Sequence, residues 1–278
     1  MIYLLLAILC SALVTIVMRV GSSEKSGNLG MLAINYLICL ILSGFQAGYR
    51  NLFPAVPELP RILGMGAVNG TLFLLGFLML QHNIRRNGVV LSSIFMKLGL
   101  LVPMVVSIVL FGEMPGVWQI LGFLLAVAAI VLMNLEPGVS SGKFRPGLIL
   151  LLLAGGCCDT MAKVYDELGS ADLSGQYLFY TFAVALLLCL VVMVCKKERF
   201  SRASFVDGTL LAIPNYFFAS FLLLALNSLD AVVVYPTYSV GTILVTTLAG
   251  VIFFREKLKK RMWIAVGIIL AAMVLLNL

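Results

Sequence analysis

Long apolar stretches, broken by short runs of Gly, Pro, Asn and charged residues, set the rhythm of this chain. They fall at residues 2–19, 30–48, 61–81, 88–111, 116–134, 147–165, 175–195, 206–226, 231–254 and 262–278. Each is long enough to cross roughly 30 Å of hydrocarbon as a helix rising about 1.5 Å per residue. None shows the in/out alternation of a membrane barrel strand, so strands are excluded on period. Helices satisfy their own backbone hydrogen bonds in lipid. The pattern therefore predicts an all-α integral membrane protein with ten transmembrane helices. Composition agrees: 62% of the 278 residues are hydrophobic and 11% are charged, with a mean hydropathy of +1.11. A water-soluble fold would leave large apolar surfaces wet. The first stretch lacks a basic leader, and its first cations, Arg19 and Lys25, come after it, so it reads as a retained span.

The two halves repeat each other. The only two tryptophans open Trp118-x-x-x-Gly122 and Trp263-x-x-x-Gly267, at an offset of 145. Phe111-x-Glu113 matches Phe254-x-Glu256 at an offset of 143, and Leu4 to Ala7 with Cys10 matches Leu151 to Ala154 with Cys157 at 147. The Gly- and Ser-containing stretch from Glu136 to Pro146 is the only linker-like segment near the middle. This predicts a first repeat at 1–136, a linker at 137–146 and a second repeat at 147–278.

Five spans per repeat is an odd number, so the second copy must enter the membrane upside down. The cations test this. Loops after spans one, three, five, seven and nine hold Arg19, Lys25, Arg85, Arg86, Lys143, Arg145, Lys196, Lys197, Arg199, Arg202, Arg255, Lys257, Lys259, Lys260 and Arg261, fifteen in all. The alternate loops hold only Arg50 and Arg61. The positive-inside rule then places both termini outside the cytoplasm, in a multi-pass protein of the cell (inner) membrane. The net charge of +7 belongs to loops beside spans, which points to lipid headgroups as partners and not to nucleic acid.

An inverted five-plus-five repeat whose halves each end with Glu, a short loop and a Gly-containing apolar span resembles the EamA-type families of the drug/metabolite transporter superfamily. Glu113 to Gly122 and Glu256 to Gly267 carry that resemblance. It implies a ten-helix basket with a central cavity between the halves, opened alternately to either side. It also implies a small-molecule cargo, with amino acids, sugars, nucleotide sugars, choline-like amines, phosphorylated metabolites and drugs among the classes carried. Such proteins are commonly drawn with both termini cytoplasmic. The charge pattern of this chain reverses that.

Charged residues deep in a span are costly and are the first candidates for function. Lys97 lies about 13 Å into span four at 1.5 Å per residue, with Ser93 one turn earlier. It is expected to line the cavity and meet an anionic group or a coupling acid. Its counterpart in the repeat is Val240, so the role is asymmetric. Asp159 and Lys163 lie four apart in span six; they can pair with each other, contact substrate or couple transport to protons. Tyr235, Tyr238, Ser239, Thr242 and Thr246 form a polar stripe on one side of span nine; helix packing through small hydroxyls would explain Ser239 and the threonines, while the two tyrosines more strongly suggest a ligand wall. Pro236 interrupts that span. Asn215 beside Pro214 and Asn35 in span two are further substrate-binding candidates. Tyr177 and Tyr180, near a span start, read as interfacial anchors.

No catalytic set can be assembled around the single histidine, His82, and there is no HExxH, carboxylate cluster or Walker loop. No cofactor is expected. The six cysteines, Cys10, Cys39, Cys157, Cys158, Cys189 and Cys195, lack zinc-ribbon spacing, so neither disulfide nor metal is expected. The leading expectation is a secondary or exchange transporter of a small polar metabolite, working by alternating access as a monomer or homodimer. A zwitterion or anion fits Lys97 and Lys163 best, such as an amino acid or a phosphorylated metabolite. A cationic amine would use Asp159 with Tyr235 and Tyr238. The rival classes are an intramembrane enzyme or a flippase acting on a lipid or polyprenyl phosphate.

Overall fold

The computed structural model describes residues 2–22, 28–103, 105–106, 116–118, 120–122, 124–125, 128, 146–226, 228–229, 231–255 and 260–276. Among these, the regular elements are helical. They are α1 (Ile2–Ser22), α2 (Asn28–Ala47), α3 (Leu59–Asn87), α4 (Val89–Lys97), α5 (Pro146–Leu168), α6 (Ser174–Cys195), α7 (Arg202–Leu226), α8 (Ala231–Ile252) and α9 (Lys260–Leu276). Among the described residues, six apolar helices are long enough to cross a membrane, within Ile2–Val20, Leu29–Ala47, Leu59–Asn87, Pro146–Leu168, Ala171–Cys195 and Arg202–Leu226. Val89–Pro103, Thr237–Ile252 and Trp263–Ala272 are shorter apolar helices. The chain is a multi-pass membrane protein. Most of predicted span five, both motif glutamates Glu113 and Glu256, and residues 137–145 of the linker lie outside the described residues.

Two elements depart from the expected spans. Helix α3 runs six residues past 81; His82, Arg85 and Arg86 stay exposed on its last turns, and Asn83 is accommodated inside the protein. Asn83 is buried and donates to its own turn at Met79 O, 2.8 Å, and across to Gly147 O on α5, 2.9 Å. Gly88 then turns the chain at φ 83, a left-handed value that glycine takes freely, with its N–H closing on Ile84 O. The second departure is in span four, where α4 ends at Lys97 and tightens into a 3-10 turn at Leu98–Leu100. That turn places Gly99 against the backbone of α5. A Cβ on Gly99 would stand 2.6 Å from Gly156 N, and one on Gly156 would stand 2.4 Å from Gly99 O. Only two glycines permit this approach.

Packing runs between the two parts of the sequence more than within each. Helix α2 sits against α6 and α7, α1 against α7 and α8, α3 against α5 and α6, and α4 against α5 and α8. Exchanging α1–α4 with α5–α8 maps this set of pairs onto itself. The faces turned inward are buried: Tyr36, Leu80, Ile84 and Phe182 are fully enclosed. The opposite faces meet lipid, as with Leu5, Leu9 and Leu13, exposed at i, i+4 and i+8 along α1. At the cation-rich ends the parts are tied by polar contacts. Glu198 Oε1 accepts from the N–H of Leu29 at 2.9 Å near the start of α2. Arg19 Nη1 donates to Ile84 O at 3.2 Å, with its guanidinium 6.0 Å from the Phe254 ring centre.

Candidate functional site

Seven helices converge on one cavity. It encloses roughly 870 Å³ of empty space, its mouth included, and is lined from α1, α3, α4, α5, α6, α7 and α8. Most of the wall is apolar, through residues such as Val14, Phe73, Phe77, Leu80, Leu222 and Leu223. Among the polar groups, Lys97 closes α4 and Tyr177 lies in the first turn of α6, while Asn69, Asp159, Asn215 and Tyr238 sit within α3, α5, α7 and α8. Lys97 and Asp159 supply one charge of each sign, and each acts electrostatically on the other. Lys97 Nζ donates to the hydroxyl of Tyr238 and lies 3.8 Å from that ring centre and 5.6 Å from that of Phe218. The Tyr238 hydroxyl in turn shares a 2.9 Å hydrogen bond with Ser11 Oγ. One chain of contacts thus runs from α4 through α8 to α1. Phe218 stacks on Tyr238 with ring centres 5.5 Å apart and an angle of 14°, which fixes the phenol. Exposed leucine and isoleucine mark the lipid side of α1, α7 and α8, whereas α4 is enclosed along its length, with Lys97 itself buried.

The sequence candidates separate in the structure. Lys97, Asp159, Tyr238 and Asn215 line the cavity. Ser93 is buried on α4 but outside the lining; the partner shown for Lys97 is Tyr238 instead. Lys163 is buried, outside the lining, and its charge acts on Asp166 one turn along α5. Asn35 is also outside the lining and serves Asn215, whose Nδ2 donates to Asn35 Oδ1 at 3.2 Å. The span-nine stripe is buried at Tyr238, Ser239, Thr242 and Thr246. Only Tyr238 of these reaches the cavity, because Thr242 and Thr246 spend their hydroxyls on Tyr238 O, 2.8 Å, and Thr242 O, 2.7 Å. The side chain of Tyr235, like that of Pro236, lies outside the described residues.

Two tyrosines correct the expectation of interfacial anchors. Tyr177 is buried and lines the cavity, stacked on Tyr165 at 4.0 Å. Tyr180 is buried as well and donates to Leu52 O in the loop before α3. Proximity to a span end placed both rings at the headgroups, whereas packing of α6 against α2 and α3 encloses them. Sequence reasoning missed Ser11, Asn69 and Phe218. Asn69 was the findable one, as a carboxamide within an apolar span.

The comparisons with known proteins accord with this architecture. The EamA-like transporter family matches residues 1–135 and again residues 145–278. An uncharacterized protein of Haemophilus influenzae is 24% identical over 282 residues, covering 97% of this chain and 95% of that protein. A solved crystal structure of a protein, 16% identical, superimposes with a TM-score of 0.63 over 99% of this chain and 94% of its own, so the fold is shared. With the family matched across both parts of the sequence and the apolar helices arranged to cross a membrane, the chain belongs to the EamA-like transporter family.

Proposed function

We propose that this protein is a secondary or exchange transporter for a small metabolite of zero net charge, a zwitterion such as an amino acid, moved by alternating access between inverted halves. One observation carries the reading: among the described residues that line the largely apolar cavity, there is one cation, Lys97, and one anion, Asp159. Such a site is close to neutral as a whole. A substrate with a net charge would leave an uncompensated ion in a poorly solvated space, at a penalty of several kcal/mol. A zwitterion inserts between the two, its carboxylate toward Lys97 and its ammonium toward Asp159, and leaves the balance unchanged. The apolar wall takes the remainder of the molecule. Transport by such a carrier alternates the side to which the site opens, and interlaced helices related by exchange of the halves suit that motion.

The test is uptake into proteoliposomes loaded with unlabelled amino acids. Labelled zwitterion is expected to accumulate by exchange and to be recovered chemically unchanged. Anionic and cationic analogues of the same body, lacking one of the two charges, are expected to compete poorly. Recovery of a chemically altered compound would reject transport, and equal competition by the singly charged analogues would reject the neutral-substrate reading.

A further inference from the structure

The cavity holds a second pair of polar groups that a zwitterionic head does not occupy. Asn69 on α3 and Asn215 on α7 both line it, and they are 3% and 0% exposed. A helix other than its own orients each amide. Asn215 Nδ2 donates to Asn35 Oδ1 and Cys39 Sγ on α2, at 3.2 and 3.7 Å. Asn69 Nδ2 donates to Thr181 Oγ1 on α6 at 3.5 Å. The amide nitrogens are thereby engaged with neighbouring helices and the oxygens are left over: Asn69 Oδ1 and Asn215 Oδ1 have no hydrogen-bond partner among the described residues. A buried acceptor without a donor is unfavourable, and hydrocarbon around the protein offers none. Phe73, Phe77, Leu222 and Leu223, which line the same cavity, carry no side-chain donor; Asn35 Nδ2, on the amide that holds Asn215, is likewise without a partner among the described residues.

We infer that Asn69 and Asn215 form an acceptor subsite, one amide from α1–α4 and one from α5–α8, that selects substrates whose side group carries a hydrogen-bond donor such as a hydroxyl or an amide N–H. This rests on the zwitterion reading: Lys97 and Asp159 take the charged head, and the two amides take the side group. Asn35 and Thr181 are positioning residues, because they hold the nitrogens and so aim the oxygens. Discrimination follows from chemistry. A site built around hydrogen-bond acceptors rejects an analogue that lacks the donor more strongly than an apolar pocket rejects an added hydroxyl.

Three pairs of near-isosteric amino acids test it: L-threonine with L-valine, L-tyrosine with L-phenylalanine, and L-glutamine with L-methionine. Affinities are read from ligand-induced thermal stabilisation of the purified full-length protein. In the wild type, the donor-bearing member of at least one pair is expected to bind about ten-fold or more tightly than its partner. Asn69→Leu and Asn215→Leu keep a similar shape and remove the acceptor; each should bring that ratio toward one, with the hydrocarbon-bearing partner bound as well as before or better. Thr181→Val should lower the ratio less. Equal or reversed affinities within every pair in the wild type would overturn the inference, and that measurement needs no variant to fold. A ratio retained in both leucine variants would overturn it too, leaving water as the partner of the two oxygens. Binding without donor preference removes this inference alone. Binding by none of the six compounds removes the zwitterion reading and this inference with it.

Discussion

Lys97, Asp159 and Tyr238 act as one unit, and single substitutions should show it. Lys97→Met removes the cation while keeping length and apolar volume, so substrate affinity should fall about 30 to 150-fold, or roughly 2 to 3 kcal/mol. Lys97→Arg should recover part of that loss, because the forked guanidinium is larger than the ammonium. Each charge also compensates the other. Lys97→Met or Asp159→Asn alone leaves a buried ion without its counter-charge and should destabilise the protein by about 3 to 5 kcal/mol, whereas the double substitution should be nearly neutral for stability. Thermal unfolding of the four proteins in one detergent measures that cycle. Additive losses would show that the two groups do not interact. Tyr238→Phe breaks the link from Lys97 to Ser11; a stability loss of about 0.5 to 1.5 kcal/mol is expected. Lys97 was legible in sequence as a charge no helix end could rescue. Its partner was not, because Tyr238 is 141 residues away and nothing local points from one to the other.

Backbone contact between helices decides what a glycine is for. Gly99 and Gly156 let the turn after α4 press on α5, which sets the depth at which Lys97 and Asp159 face the same space. Gly156→Ala should therefore destabilise by about 1 to 3 kcal/mol through overpacking, and Gly156→Leu should abolish a monodisperse peak in size-exclusion chromatography. Gly267 is the control. Among the described residues a Cβ there meets nothing within 4 Å, and Gly267→Ala should stabilise by about 0.5 to 1 kcal/mol through helix propensity alone. An equal shift at both positions would show that helix propensity, and not interhelical contact, dominates. Hydropathy marked these elements well and their ends less well. Helix α3 outran its apolar stretch because Asn83 found acceptors at Met79 and Gly147, an outcome that depends on a residue 64 positions downstream.

For the whole molecule, charge is the sequence feature with the most reach. Five cations lie in the segment Arg255 to Arg261 beside the last span. A phosphatase fused after Leu278 should accordingly be active outside the cytoplasm, and a fluorescent protein fused there should be dark. The opposite pair of results would put both termini in the cytoplasm, as the family is commonly drawn.

Sequence by itself determined the solvent of this protein, its helical class and its family, because apolar length, cation spacing and the repeat of Trp118 and Trp263 are properties of the chain in one dimension. It also singled out Lys97, Asp159, Tyr238 and Asn215 as polar groups in places where polarity is costly. Only the tertiary structure decided which of the candidates share a space. Thr242 and Lys163 carry the same chemistry as their neighbours, yet the one hydroxyl turns back to its own helix and the one ammonium answers Asp166. Tyr177, read as an interfacial ring, faces the cavity instead. The reason is that a side chain's partner in lipid is chosen by whichever helix packs against it. For Tyr238 and Asn215 those helices come from the opposite part of the sequence, 227 and 180 residues away.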